Sequence, residues 1–367
     1  MGGWVYKIFV INPGSTSTKV ALFQDEDQRF EKDIHHSTSS LASFNTVNEQ
    51  LDYRISLINE FMDAQKIALS ELDAIVARGG LLQPIPSGTY IVDDDILTDV
   101  RNARFGEHAS NLGAQIAFHY SRLAKKPAYI VDPVVVDELM DVARITGHPL
   151  MKRKSIFHAL NHKAVGREAA KRLGKSYDAV NLIVAHLGGG ISIGAHKNGN
   201  VVDVNNALDG DGPFSPERAG TLPTGDLVRL CFSGDYSKEE ILKSLKGNGG
   251  LVALLGTNDL REIIQKINEQ NDQYAKLIYE AMAYQIAKGI GALAAVLQGK
   301  VDAILLTGGI THDKNLVKLI TDFISFIAPI IVIPGQEELK ALAQGGLRVL
   351  RGEEQAKRYK ENILSLW

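Results

Sequence analysis

The sequence predicts an α/β protein built twice on one plan, and three observations carry that prediction. Short β-rich runs alternate with long helical patterns along the chain, the signature of strands with crossover helices. Two glycine-rich strings, Asn12-Pro-Gly-Ser-Thr-Ser-Thr-Lys19 and His186-Leu-Gly-Gly-Gly-Ile-Ser-Ile193, each follow an apolar strand and precede another, and they align without a gap at an offset of 174. A second pair, Asp73-Ala-Ile-Val-Ala-Arg-Gly-Gly80 and Asp302-Ala-Ile-Leu-Leu-Thr-Gly-Gly309, matches at an offset of 229. The order is the same in both halves, with 55 more residues between the motifs of the second. The expectation is two related α/β domains facing each other across a cleft.

The elements follow in order. Residues 6–12 and 19–23 read as two strands joined by a Gly/Ser/Thr turn. Residues 47–65 read as an amphipathic helix with Leu51, Ile55, Ile58 and Met62 on one face. Short buried strands are expected at 73–77 and 128–131, a helix at 161–173, and a strand at 179–185. Residues 275–297 form a long, mostly apolar helical pattern in which Gly289 and Gly291 suggest close packing. A strand at 303–306 precedes a final helical region, 339–359, expected to break near Gly345-Gly346.

Composition bounds the class. A chain of 367 residues has room for two or three domains. With 45% hydrophobic and 23% charged residues it is not a disordered chain, and 34 glycines without a G-X-Y period exclude collagen. Forty Lys plus Arg against 43 Asp plus Glu gives a net charge of -3, which argues against a nucleic-acid partner. The single Cys231 excludes an internal disulfide framework and a multi-cysteine metal site, and points to a reducing, cytoplasmic home. Residues 1–7 lack the pattern of a signal peptide, and Tyr6 stands where a myristoylation motif at Gly2 wants Ser or Thr. The most apolar stretch, 323–334, is interrupted by Pro329 and is far shorter than the roughly 20 residues of a membrane helix. No membrane partner is expected.

Three turns could hold phosphate. In the first, Gly14 admits close backbone approach, residues 15–18 supply hydroxyls and Lys19 a charge; successive N–H groups there would form an anion-binding concavity. A P-loop is not expected, since the second glycine before Lys is missing and a strand follows in place of a helix. A plain polar turn fits these residues too. Gly188-Gly189-Gly190 and Thr307-Gly308-Gly309-Ile310 follow strands as well, where glycines let a ligand lie against the backbone, though tight packing leaves the same trace. Arg78 and Asp132 stand at the carboxyl ends of strands, and Arg218 lies in the turn-rich stretch 209–220. Each alone reads equally as a surface ion pair. His158 and His162 are spaced i, i+4, but no HExxH glutamate lies between them, so zinc is not expected.

These residues resemble a known family. Ile8-Phe-Val-Ile-Asn12-Pro-Gly-Ser-Thr-Ser-Thr-Lys19 is similar to the first signature of acetate and butyrate kinases, and Val184-Ala-His186-Leu-Gly-Gly-Gly-Ile-Ser192 to the second. Arg153-Lys-Ser-Ile-Phe-His158-Ala-Leu-Asn-His162 resembles the family's Phe-His segment; the likeness spans roughly 6–345 and is greatest to the butyrate kinases. The resemblance implies the duplicated actin-like ATPase (ribonuclease H-like) fold, with two domains flanking a nucleotide cleft. It places one domain at 1–155 plus 342–367, on the acyl side, and the other at 156–341, on the nucleotide side. The implied reaction is reversible, direct in-line phosphorylation of a short-chain fatty acid by ATP, with Mg²⁺, in a homo-oligomer of two or more chains.

By position, the resemblance implies that Asn12 orients Mg²⁺ and phosphate, Lys19 faces the nucleotide phosphates, and Arg78 binds the substrate carboxylate beside Asp132. His158 and Arg218 would stabilise the transferring phosphoryl, and His186, Leu187, Gly188, Gly189 and Gly190 would hold the β- and γ-phosphates. Asp259, Arg261, Gly309, Ile310, Thr311, His312 and Asp313 would surround the adenosine, and Glu338, in preference to Glu337, would reach the metal. Two departures bear on the substrate: Gly79-Gly80 replace bulkier residues of acetate kinases, and the aromatic-glycine pair before His158 is missing. The glycines are expected to leave room for butyrate or a branched acid. An acetate or propionate kinase, a sugar kinase using Asp132 as base, and a nucleotide-gated binding protein stay open as alternatives.

Overall fold

A computed structural model describes residues 4–335 and 337–364; Gly2, weighed above for acylation, lies outside the described residues. Two units divide the chain. The first runs up to Asp137 and resumes at Glu337, and the second takes up the residues from Glu138 onward between them.

In the first unit six strands form one sheet: β1 (Lys7–Pro13), β2 (Ser17–Gln24), β3 (Asp27–His35), β4 (Ala74–Arg78), β5 (Thr89–Ile91) and β6 (Ala128–Val131), in the order β3-β2-β1-β4-β6-β5. β1, β2 and β3 are an antiparallel meander, β4 and β6 run parallel to β1, and β5 is antiparallel to β6. β1 is apolar at successive positions because both faces of the sheet are covered. Phe9, Ile11, Ile75 and Ala77 share a core with the helices Leu51–Ala64 and Asn111–Ala124. On the other face lies the helix Glu338–Leu350, which runs unbroken through Gly345 and Gly346. The expected interruption is absent for a steric reason. A Cβ at 345 would lie 2.5 Å from Val131, and one at 346 2.5 Å from Val76, so these glycines let the helix lie close on the sheet. The helix ends at Leu350, short of the expected 359.

The second unit repeats the plan with β7 (Asn181–Leu187), β8 (Ile191–Lys197), β9 (Asn200–Val204), β10 (Ala303–Gly308) and β11 (Ile330–Pro334), in the order β11-β10-β7-β8-β9. β7 starts 174 residues after β1, and β10 starts 229 after β4. The gapless match ends at the turn: Pro13 pairs with Thr18, whereas Leu187 pairs with Ile191, so the second turn is one residue shorter. The helix Gln273–Val296 packs on one face of this sheet and Ala159–Arg172 on the other. Gly289 is a close approach, its Cβ position 2.7 Å from Ile193, but no described residue lies within 4 Å of the corresponding point at Gly291, contrary to expectation.

The units meet the chain at 137/138 and 336/337, against the expected 155/156 and 341/342. Residues 138–155 are tied to the second unit by the Met140 N–H to Val202 O bond and by Arg153, which donates to Asp203 and to Val204 O. Among the described residues, no helix is long and apolar enough to cross a membrane.

Candidate phosphate-binding site

In the first unit the β1–β2 turn is shaped from below by Arg54, a fully buried side chain of the helix Leu51–Ala64. Its guanidinium donates to the carbonyls of Gly14 (2.8 Å), Ser15 (3.3 Å) and Ser17 (3.3 Å), to Thr18 Oγ1 (2.9 Å) and to Gln50 Oε1 (2.8 Å). Burial pushes its pKa down to about 10, and every one of these acceptors is neutral. The turn's carbonyls are thereby occupied by a cation on one side. Sequence reasoning missed Arg54; a lone arginine among polar helix positions gives no signal of it.

Asn12, at the end of β1, is nearly buried and donates from Nδ2 to Glu338 Oε2 at 2.6 Å. Arg78 Nη1 lies 3.6 Å from the other oxygen of the same carboxylate. Glu338 opens its helix and so draws together two residues of different strands. Its neighbour Glu337 is exposed and pairs instead with Lys340 at 3.1 Å. Among the described residues, the buried Asn12 Oδ1 has no hydrogen-bond partner. An orphaned amide oxygen beside a carboxylate is a hard-oxygen donor set that fits Mg²⁺, which takes one or two carboxylates and completes its shell with water and phosphate. Among the described residues no cluster of three or more His, Cys, Asp or Glu could hold a metal by itself. Lys19 is the cross-strand partner of Asn12, half-exposed, with Asp33 at 3.9 Å. Asp132 has the left-handed φ of +39° and accepts the Gly88 N–H at 2.7 Å, so its carboxylate braces the loop before β5.

Gly79 and Gly80 do not open an acyl pocket. A Cβ at 79 would lie 2.6 Å from Pro133 Cβ, and one at 80 2.5 Å from Asn111 Oδ1. The space that a side chain would take is already filled by the unit's own packing, which overturns the expectation that these glycines make room for a longer tail.

In the second unit the His158 and His186 rings stack at 3.8 Å with an 11° interplanar angle. Asn161 Oδ1 lies 2.7 Å from His186 Nδ1, and Ser192 Oγ 2.8 Å from His158 Nδ1. The Arg218 guanidinium lies against the triglycine turn, where any Cβ at Gly190 would overlap it. Burial lowers the Arg218 pKa, partly offset by Glu217. Ser215 donates to Gly189 O at 2.6 Å and fixes the same turn. His158, His186, Gly190 and Arg218 are thus one cluster.

Beside it lies a cavity of about 840 Å³ whose lining includes Gly188, Gly189, Asp259, Arg261, Gly309, Ile310, His312 and Asp313. Glu217, Asn258, Ile264 and Lys314 also line it and were not foreseen. Leu187 and Thr311 are buried and do not line it; Thr311 Oγ1 donates to Gly308 O at 2.7 Å. Asp259 caps the helix Leu260–Gln270 and holds Arg261 Nη2 at 2.6 Å. Asp313 caps the helix Lys314–Ile324 and accepts the Tyr279 hydroxyl at 2.6 Å, so its carboxylate serves the wall of the cavity.

A model of the acetokinase family matches residues 142–343. Butyrate kinase 1 of Clostridium acetobutylicum is 52% identical over 97% of this chain and 100% of its own. The crystal structure of Porphyromonas gingivalis acetate kinase superposes with a TM-score of 0.76 at 20% identity, covering 94% of this chain and 100% of that one. A propionate kinase from Francisella tularensis subsp. tularensis gives 0.71 at 21%, over 93% and 98%. At such identity these structures speak for the fold, which is actin-like.

Proposed function

From the premise that the chain belongs to the acetokinase family, we propose that it transfers the γ-phosphoryl group of ATP to the carboxylate of butyrate or a branched analogue, reversibly. The butyrate kinases at 52% identity support this acyl group. One observation carries the chemistry: the stacked His158–His186 pair and the Arg218 guanidinium gather on the triglycine turn, next to a cavity with room for a nucleoside.

A substrate oxygen forms the bond to the γ-phosphorus while the bond to the bridging oxygen breaks, and ADP leaves. A carboxylic acid with a pKa near 4 is already ionised at pH 7, so no general base is needed. The difficulty is the approach of one anion to another. Arg78 binds the substrate carboxylate, while His158 and Arg218 donate to the phosphoryl oxygens as charge moves across them. Asn12 and Glu338 would hold Mg²⁺, which supplies charge neutralisation at the phosphates. Arg54 keeps the β1–β2 turn in shape, and the triglycine turn offers backbone N–H groups to the nucleotide phosphates. Phosphorylation of a hydroxyl would call for a carboxylate base; Asp132, bound to the Gly88 N–H, does not support that reading. The free Cys231 agrees with a cytoplasmic setting.

Hydroxylamine trapping of the acyl phosphate, run side by side on acids of two to six carbons, tests the proposal. The greatest yield is expected at four or five carbons; a maximum at acetate would make the protein an acetate kinase, and no trapped product with any acid would reject the reaction. Arg78→Ala and Arg218→Ala are each expected to lower turnover on the order of 10³-fold. Near-parental turnover of either purified variant would remove that residue from the mechanism.

A further inference from the structure

A line of polar side chains runs through the second unit from His158 and has no part in the roles above. His158 Nδ1 lies 2.8 Å from Ser192 Oγ, which lies 2.9 Å from His162 Nε2. His162 Nδ1 is 3.2 Å from His196 Nε2, and His196 Nδ1 is 2.7 Å from the Tyr177 hydroxyl. Ser192, His162 and His196 are fully buried. Two glycines make room for the line: a Cβ at 166 would lie 2.7 Å from the Tyr177 ring, and one at 194 3.2 Å from His162 Nδ1. Lys163 and Arg167 approach the Tyr177 ring at 5.7 and 5.4 Å.

Burial, with nearby positive and imidazole groups adding to it, holds the pKa of both His162 and His196 well below the ordinary value. Both are therefore neutral at pH 7, each with one N–H and one lone pair. The Ser192 hydroxyl is fully buried and meets only the His158 and His162 rings among the described residues, so accepting from both would leave its own O–H without an acceptor. With that arrangement excluded, every link points the same way, and two orders remain. In one, Tyr177 donates to His196 Nδ1, His196 Nε2–H to His162 Nδ1, His162 Nε2–H to Ser192, and Ser192 to His158 Nδ1. Neutral His158 then carries its proton on Nε2. In the other, every bond is reversed and His158 carries its proton on Nδ1. At the last junction the phenol is a stronger acid than the imidazole N–H, and the cations at its ring strengthen its O–H as a donor. The first order is favoured.

We infer that Tyr177, His196, His162 and Ser192 are positioning residues that fix the tautomer of His158, so that Nε2–H donates to an oxygen of the transferring phosphoryl group; this rests on His158 facing that group, as proposed above. Nitrogen-15 spectra of ring-labelled histidines in the full chain test it. In the parent, neutral His158 is expected as the Nε2–H tautomer; in Tyr177→Phe it shifts toward Nδ1–H. Tyr177→Phe also lowers kcat about fivefold, the scale of one hydrogen bond, with both KM values unchanged. Ser192→Ala cuts the line at its other end and is expected to give the same tautomer shift.

The double variant His158→Ala with Tyr177→Phe is expected to be no slower than His158→Ala alone. An Nδ1–H tautomer in the parent, an unchanged tautomer in both Tyr177→Phe and Ser192→Ala, or a full kcat loss in the His158→Ala background would overturn the inference. Parental turnover in His158→Ala alongside a shifted tautomer would reject the phosphoryl role and keep the hydrogen-bonded line.

Discussion

His36 is buried with its Nε2 2.8 Å from Thr18 Oγ1, and burial together with the Arg54 charge pushes its pKa down to about 4. The unfolded chain takes up that proton near pH 6.5, so between 6.5 and 4 it binds more protons than the folded chain. Stability therefore rises with pH in this window and is lost as pH falls through it, and the low pKa values of His162 and His196 act in the same direction. Melting temperature is expected to fall between pH 7 and 4.5, with a shallower fall in His36→Gln; an equal slope in the variant would assign the acid sensitivity elsewhere. The same corner shows where single residues escape a sequence reading. Arg54 holds four groups of the turn, yet in the sequence it is one polar position on an amphipathic helix. Glu338 was legible only as one of two adjacent acids, and the helix start decides which of them turns toward Asn12.

At the scale of elements, β1, β4, β6, β7 and β10 were legible because a strand covered on both faces is apolar along most of its length. β3 was not: it is an edge strand, charged and exposed along most of its length, without apolar alternation. Glycines inside helices were ambiguous, since close packing and mere tolerance look alike in a sequence. Gly345→Ala is expected to destabilise the chain by about 1–3 kcal/mol through overpacking against Val131. Gly291→Ala, with open space around it, is expected to stabilise by about 0.5–1 kcal/mol. Denaturant midpoints for the pair check both signs; equal shifts would show that packing does not separate the two positions. The Gly79-Gly80 reading failed for the same reason: Pro133 and Asn111, distant in sequence, occupy the space through tertiary packing.

At the scale of the whole molecule, duplication was legible because strand offsets survive where side chains have diverged, and 174 and 229 recur between the strands themselves. The unit boundaries were less legible, because residues 138–155 carry little regular structure and declare their unit only through tertiary bonds such as Arg153 to Asp203. The first unit is assembled from two stretches of chain, and its helix Glu338–Leu350 covers one face of its sheet. A chain stopped after residue 335 is expected to protect the amides of β7, β8 and β10 from hydrogen exchange while those of β1, β4 and β6 exchange fast; equal protection would show that the sheet does not need that helix. During synthesis this arrangement imposes a schedule. Asn12 and Glu338 are 326 positions apart, so at 5–20 residues per second the carboxylate follows its amide partner out of the ribosome by roughly 16–65 s. The second unit is complete before the first can close, since all of its residues are added before Glu338.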